Sequence, residues 1–218
     1  MLALALLPAL AWTHGISETN ARFVEAVSGP AIAPFMFLGA KHMVTGYDHL
    51  LFLLGVVFFL YRARDVVLYV TLFTVGHSLT LMFGVLTQTT VNAYVVDGII
   101  GLSVAYKAFE NLGGFRSVLP VRIDTRLAVL VFGLAHGLGL ATKVLDLTVS
   151  DSGLVTNIVS FNVGVEIGQI LALMLVVFVL NRWRVLAGFD RHAMVANTLL
   201  MACGFLLAGY QFAGVWLA

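Results

Sequence analysis

Six long apolar runs, separated by short breaks that carry charge, glycine or proline, occupy most of the chain. They lie at roughly 32–60, 66–88, 92–110, 126–144, 153–180 and 192–216. About 20 consecutive apolar residues make a helix long enough to cross the hydrocarbon core of a bilayer. A helix also satisfies its own backbone there, where no water can. Only 11% of the 218 residues are charged, against roughly 25% in a soluble domain, so polar side chains cannot cover a globule of this length. The expected fold is all-α, a polytopic membrane bundle of about six transmembrane helices. Residues 31–218 would form the six-helix transmembrane domain, and residues 1–30 a signal-like or extracytoplasmic N-terminal segment. Within that segment Met1–Trp12 is apolar, too short to span, and contains the small-residue pattern Ala9-Leu10-Ala11 without a preceding basic region.

The basic residues set the expected orientation. Arg62 and Arg64 follow the first run. Lys107, Arg116, Arg122 and Arg126 lie between the third and fourth, and Arg182, Arg184 and Arg191 between the fifth and sixth. Arg22, Lys41 and Lys143 fall on the other side. Loops rich in Lys and Arg stay cytoplasmic, so both termini should face outward across a bacterial cytoplasmic membrane. A net charge of +1 gives no argument for a nucleic-acid partner. The single cysteine, Cys203, excludes an internal disulfide or a thiolate cluster.

A charged residue at the centre of a membrane helix costs about 3 kcal/mol on insertion scales, so each one needs a reason. The first run carries His42, Asp48 and His49, the second His77, the third Asp97, the fourth His136 and the fifth Glu166. His49, His77, His136 and Glu166 come to similar depth on separate helices, with His42 shallower. His49, His77 and Glu166 should therefore approach one another, with His42 outward of them as the ligand an incoming ion meets first. In a regular helix His42 and His49 share a face two turns apart, and Asp48 points about 100° from His49. Gly46 is a candidate kink. Asn162, Glu166 and Gln169 form one polar stripe. Asn162, Gln169, Ser78 and Asp97 are candidate pathway groups around the ligands, although Asp97 also suits a solvated position near the outer end. Lys107, Glu110 and Asn111 read as a solvated inner cap.

Several imidazoles with carboxylates and no thiolate suit a borderline divalent ion such as nickel, cobalt or zinc. Calcium and magnesium prefer oxygen. Copper stays open through Met43 beside His42. The chain contains no G-x-x-x-x-G-K-[ST] phosphate loop, so any passage of such an ion across the membrane would be passive or driven by potential or protons. Besides carrying an ion across, two functions fit the same residues. One is a metal-binding accessory or assembly subunit of a larger membrane complex. The other is an intramembrane zinc-dependent hydrolase that activates water. Expected partners are the lipid bilayer, the metal ion, and a homo-oligomer or membrane complex.

Four blocks carry a resemblance. They are His42-Met43-Val44-Thr45-Gly46-Tyr47-Asp48-His49, Phe73-Thr74-Val75-Gly76-His77-Ser78, Phe132-Gly133-Leu134-Ala135-His136-Gly137, and Phe161-Asn162-Val163-Gly164-Val165-Glu166-Ile167-Gly168-Gln169. In order and spacing they resemble the HupE/UreJ family of small bacterial membrane proteins, especially its second branch. The resemblance implies a nickel or cobalt permease, associated in the better-known branch with hydrogenase and urease maturation. That branch has His-Pro-x-x-Gly-x-Asp-His, and Met43 stands here in place of its proline. The His and Asp positions carry over directly, with nickel as the leading metal.

Overall fold

The computed structural model describes residues 18–118, 124–147 and 150–217. The expected leader Met1–Trp12, the basic residue Arg122 and most of segment 1–30 before Glu18 lie outside the described residues. Nine helices are described: α1 Glu18–Ala26, α2 Ile32–Thr45, α3 Tyr47–Val57, α4 Ala63–Thr87, α5 Ala93–Asn111, α6 Gly114–Val118, α7 Thr125–Leu145, α8 Leu154–Arg184 and α9 Phe189–Leu217. Among the described residues there is no strand.

Local chemistry sets several boundaries. The Asn92 side chain accepts from the Val95 amide at the start of α5, and Asp124 accepts from the Arg126 amide at the start of α7. Each satisfies a donor that the first helical turn leaves without a partner. Helix α4 ends where Gln88 takes a left-handed conformation, φ 54°.

Helices α4, α7, α8 and α9 are long and apolar enough to cross a membrane. Their exposed faces are apolar: Leu171, Met174, Leu175, Phe178 and Val179 of α8 point outward while Asn162 and Gln169 are buried. This polar-in, apolar-out arrangement makes the chain a membrane protein. The expected count of six continuous spans is met at these four helices only. The first run breaks at Gly46 into α2 and α3, and α5 carries Asp97, Lys107 and Glu110 within 19 residues.

Three helix pairs hold the bundle, and small residues make each of them. Gly39, Gly164 and Gly168 seat α2 against α8 on the backbones of Phe161, Met36 and Ala40. Gly76, Gly133 and Gly137 do the same for α4 and α7, meeting the backbones of Leu130, Phe73 and His77. Gly101 and Gly204 bring α5 onto α9. Lipid is as apolar as leucine, so hydrophobicity alone does not join helices in a membrane; close packing does. The contacts run parallel in the first two pairs and antiparallel in the third.

A β-carbon at Gly164 would overlap the Met36 carbonyl, whereas one at Gly209 meets nothing within 4 Å. Gly164→Leu is therefore expected to lower stability by at least the ~1–3 kcal/mol typical of overpacking. Thermal unfolding in detergent measures it, with Gly209→Leu as the substitution expected to leave the midpoint in place.

The two ends of the bundle are tied differently. At the end bearing the basic loops, Asn111 Nδ2 donates to the Gly55 carbonyl (2.8 Å) and to Asn197 Oδ1 (2.9 Å). Lys107 Nζ donates to Glu110 Oε2 at 2.7 Å, and Thr125 donates to the other oxygen of the same carboxylate. Arg184 donates to the carbonyls of Val57 (2.9 Å) and Phe58 (2.6 Å), closing the end of α3. The solvated inner cap expected of Lys107, Glu110 and Asn111 is instead a packed polar cluster, with Lys107 buried. Its ion pair and the hydrogen bonds joining α3, α5, α7 and α9 make that burial tolerable. At the opposite end Asp97 accepts from Lys143 at 2.8 and 3.1 Å, joining α5 to α7.

Candidate metal centre

The break between α2 and α3 creates the site. Gly46 sits at φ −76°, ψ 97°, outside helical geometry, and its N–H closes the last turn of α2 on the His42 carbonyl at 2.9 Å. The chain restarts at once as α3, with Asp48 and His49 in the first turn. A β-carbon at position 46 would come within 2.7 Å of His49 Nδ1 and 3.3 Å of Asp48 Oδ1. Glycine is needed there because both side chains fold back over the break.

His42 closes α2, Asp48 and His49 open α3, His77 sits mid-way along α4 and His136 mid-way along α7. Ring centroids are 5.0 Å apart for His42 and His49, 4.7 Å for His49 and His136, 6.1 Å for His49 and His77, and 6.3 Å for His42 and His77. Two groups have ligand atoms all within 4.8 Å of one another: His42, His49 and His77, and Asp48, His49 and His136. His49 belongs to both. Asp48, His49, His77 and His136 are buried, while His42 is half-buried.

The surroundings fix the rings. His136 Nδ1 lies 2.7 Å from the Phe132 carbonyl oxygen. That oxygen can only accept, so Nδ1 carries the proton and Nε2 keeps the lone pair a metal needs. His49 Nδ1 lies 3.1 Å from Asp48 Oδ1. Phe73 packs edge-on against His136 (4.9 Å), and Phe52 lies tilted against the same ring (5.7 Å), the two forming an apolar wall. Gly137 lets α7 approach the backbone of His77, so one glycine seats two ligand-bearing helices together.

The remaining candidates fall outside the two groups. Glu166 is half-buried on α8 and belongs to neither. Gln169 is fully buried, and its Oε1 accepts from Thr74 Oγ1 at 2.8 Å, which ties α8 to α4 one turn before His77. Asn162 is buried, and among the described residues neither end of its amide has a hydrogen-bond partner. Ser78 is half-buried. Asp97 is engaged with Lys143.

Beside His42 lies a cavity of about 270 Å³ on the side away from the basic loops, between α1, α2, α4, α7 and α8. Sequence reasoning had no means of finding it. Lys41, which lines it, reads in the sequence only as one of the outward basic residues. The Phe132 carbonyl and Thr74 were likewise invisible as partners, although the Gly133–Gly137 spacing was a signal that α7 packs closely.

No curated protein and no solved structure matches the chain. The family model described as HupE / UreJ protein matches residues 18–218, which include every histidine and carboxylate of both groups. With nearly the whole chain matched, the protein belongs to the HupE/UreJ family.

Proposed function

We propose that the protein is a permease for a divalent transition-metal cation of the nickel and cobalt type, crossing a bacterial cytoplasmic membrane six times. The reading rests above all on one observation: four imidazoles and a carboxylate from α2, α3, α4 and α7 meet in a buried layer, in two groups that share His49. A transition-metal bond is about 2 Å long, so ligand atoms around one ion stand roughly 3–3.5 Å apart, and either group needs only a modest contraction to close on an ion. Neutral imidazole and carboxylate suit nickel, cobalt and zinc better than calcium or magnesium.

The two groups give an ion a path. His42 borders the cavity, so the all-imidazole group of His42, His49 and His77 takes the ion first. His49 then remains bound while Asp48 and His136 replace His42 and His77. Exchanging ligands around one shared imidazole avoids stripping the cation bare in a medium of low dielectric. Asn162 and Glu166 offer polar groups along α8 beside this path. The six crossings follow if α5 and the broken α2–α3 pair also span. Alternating chain direction is consistent with the parallel packing of α2 with α8 and α4 with α7.

Uptake of labelled Ni²⁺, Co²⁺ and Zn²⁺ into cells with matched protein levels tests the reading. Accumulation of at least one ion above background is the expected result. Uptake of none overturns the permease, and metal retained by the purified protein without uptake would favour the assembly-subunit reading. Topology is tested separately: a cysteine in place of Arg184 should resist membrane-impermeant reagents in intact cells. Labelling from outside would reverse the orientation.

A further inference from the structure

The charge of the outer cavity is wrong for a bare metal ion. Its polar lining residues are Asn20, Lys41, His42, Thr45 and Asn157, and the rest of the wall is Leu, Val, Ile and Phe. Among the described residues no carboxylate lines it, and the one fixed charge on its wall is the ammonium of Lys41. A dication moving toward His42 would gain nothing from the apolar wall and would be repelled by Lys41.

Most of the polar lining groups are already engaged. Asn157 Oδ1 accepts from the Ala31 amide at 2.7 Å and its Nδ2 donates to the Gly29 carbonyl at 3.0 Å. The Thr45 hydroxyl donates to the Lys41 carbonyl at 2.8 Å. Lys41 Nζ donates to Asn20 Oδ1 at 3.1 Å, and an ammonium has three donors, so two have no acceptor among the described residues. The cavity therefore presents a cationic donor pair on one side, an imidazole on another, and hydrocarbon over most of the remainder.

We infer that this cavity receives the metal as a complex with a small carboxylate-bearing organic chelator. Such a complex is neutral or anionic, so Lys41 attracts it instead of repelling it. Its carbon skeleton gains from the apolar wall, as small-molecule pockets generally provide. The volume of about 270 Å³ holds roughly nine waters at ~30 Å³ each, more than the six that surround a hydrated ion. His42 then takes the metal from the chelator by ligand exchange, and the carboxylates stay with Lys41. The inference rests on the permease reading for what happens to the ion afterwards, but the chelate site itself can be measured without transport.

The probes are citrate and histidine, each radiolabelled, with Ni²⁺, added to the full-length purified protein in lipid nanodiscs. At least one chelator should be retained only when Ni²⁺ is present. Retention should fall at least tenfold in Lys41→Gln and return in Lys41→Arg, which keeps the charge; both variants are first checked for an unchanged size-exclusion profile. Failure of both chelators to bind with Ni²⁺, or equal retention in Lys41→Gln, overturns the inference. In cells, uptake at a fixed free Ni²⁺ activity should rise with chelate concentration. Uptake that follows free-ion activity alone removes the chelate and leaves the permease standing. If no metal enters in either form, the permease reading falls and nanodisc binding alone decides the cavity.

Discussion

His49→Ala is expected to abolish metal binding and uptake together, with a loss of affinity of more than about 100-fold. Removing a partner that merely orients a metal-bound histidine typically costs 10–100-fold, and His49 belongs to both candidate groups. Its loss leaves His42 with His77 and Asp48 with His136, two ligands in each place. The neighbouring histidines provide the comparison. His77→Ala leaves the group of Asp48, His49 and His136 complete, and His136→Ala leaves that of His42, His49 and His77 complete. Each should still bind one ion while passing none onward. Titration of the purified variants with Co²⁺, followed by visible absorption, reads coordination directly. Transport is measured in parallel with labelled Ni²⁺. Because His49 packs edge-on against His136 at 4.7 Å and Phe73 at 6.0 Å, alanine also opens a void, so His49→Gln serves as the variant of similar volume. Wild-type affinity in either His49 variant would remove the shared-ligand reading.

Much of the candidate site was legible because ionisable residues are so costly in an apolar run that each one is conspicuous. His42, Asp48, His49, His77 and His136 could be named from that rule alone, and their depths followed from counting along the runs. What depth could not give was direction around each helix axis. Glu166 matches the histidines in depth but is in neither group, because α8 turns its glycine face, Gly164 and Gly168, toward α2. The spacing of His42 and His49 misled in a second way. Seven residues of regular helix rise about 10.5 Å, and the rings are 5.0 Å apart. The break at Gly46 removes that separation and turns Asp48 back toward His49. A glycine in a helical run signals such a break only weakly, since an unbroken helix also tolerates it. The count of spans fared similarly. Five of the six runs are single helices, four of them long and apolar enough to cross a membrane, whereas the first is interrupted at Gly46. The packing of Lys107, Glu110 and Asn111 was hidden because, although the three are neighbours in sequence, their partners Gly55, Thr125 and Asn197 lie far away in the chain and only the approach of α3, α7 and α9 to α5 brings them there.

Asp48→Asn should abolish metal accumulation while leaving the protein folded and inserted. Asparagine nearly matches the shape of aspartate, and its Oδ1 can still accept from His49 Nδ1, now 3.1 Å from the carboxylate. Ring orientation is therefore kept and only the charge is lost. Unit charges 4 Å apart at an effective dielectric of about 20 interact by about 4 kcal/mol, and a dication doubles that. Solvent and neighbouring groups offset part of it, but even a third of the doubled figure, about 2.7 kcal/mol, corresponds to roughly 100-fold in affinity at 1.36 kcal/mol per decade. A purely structural role predicts a very different size of effect, since hydrogen bonds between membrane helices average only about 0.6 kcal/mol. The two readings are separated by measuring uptake and thermal unfolding in the same preparation. An electrostatic role gives uptake near background with an unfolding midpoint close to wild type. A lowered midpoint with proportionate loss of uptake would make Asp48 a packing residue. Unchanged uptake would take it out of the ion's path, leaving His49 and His136 to receive the cation without a counter-charge.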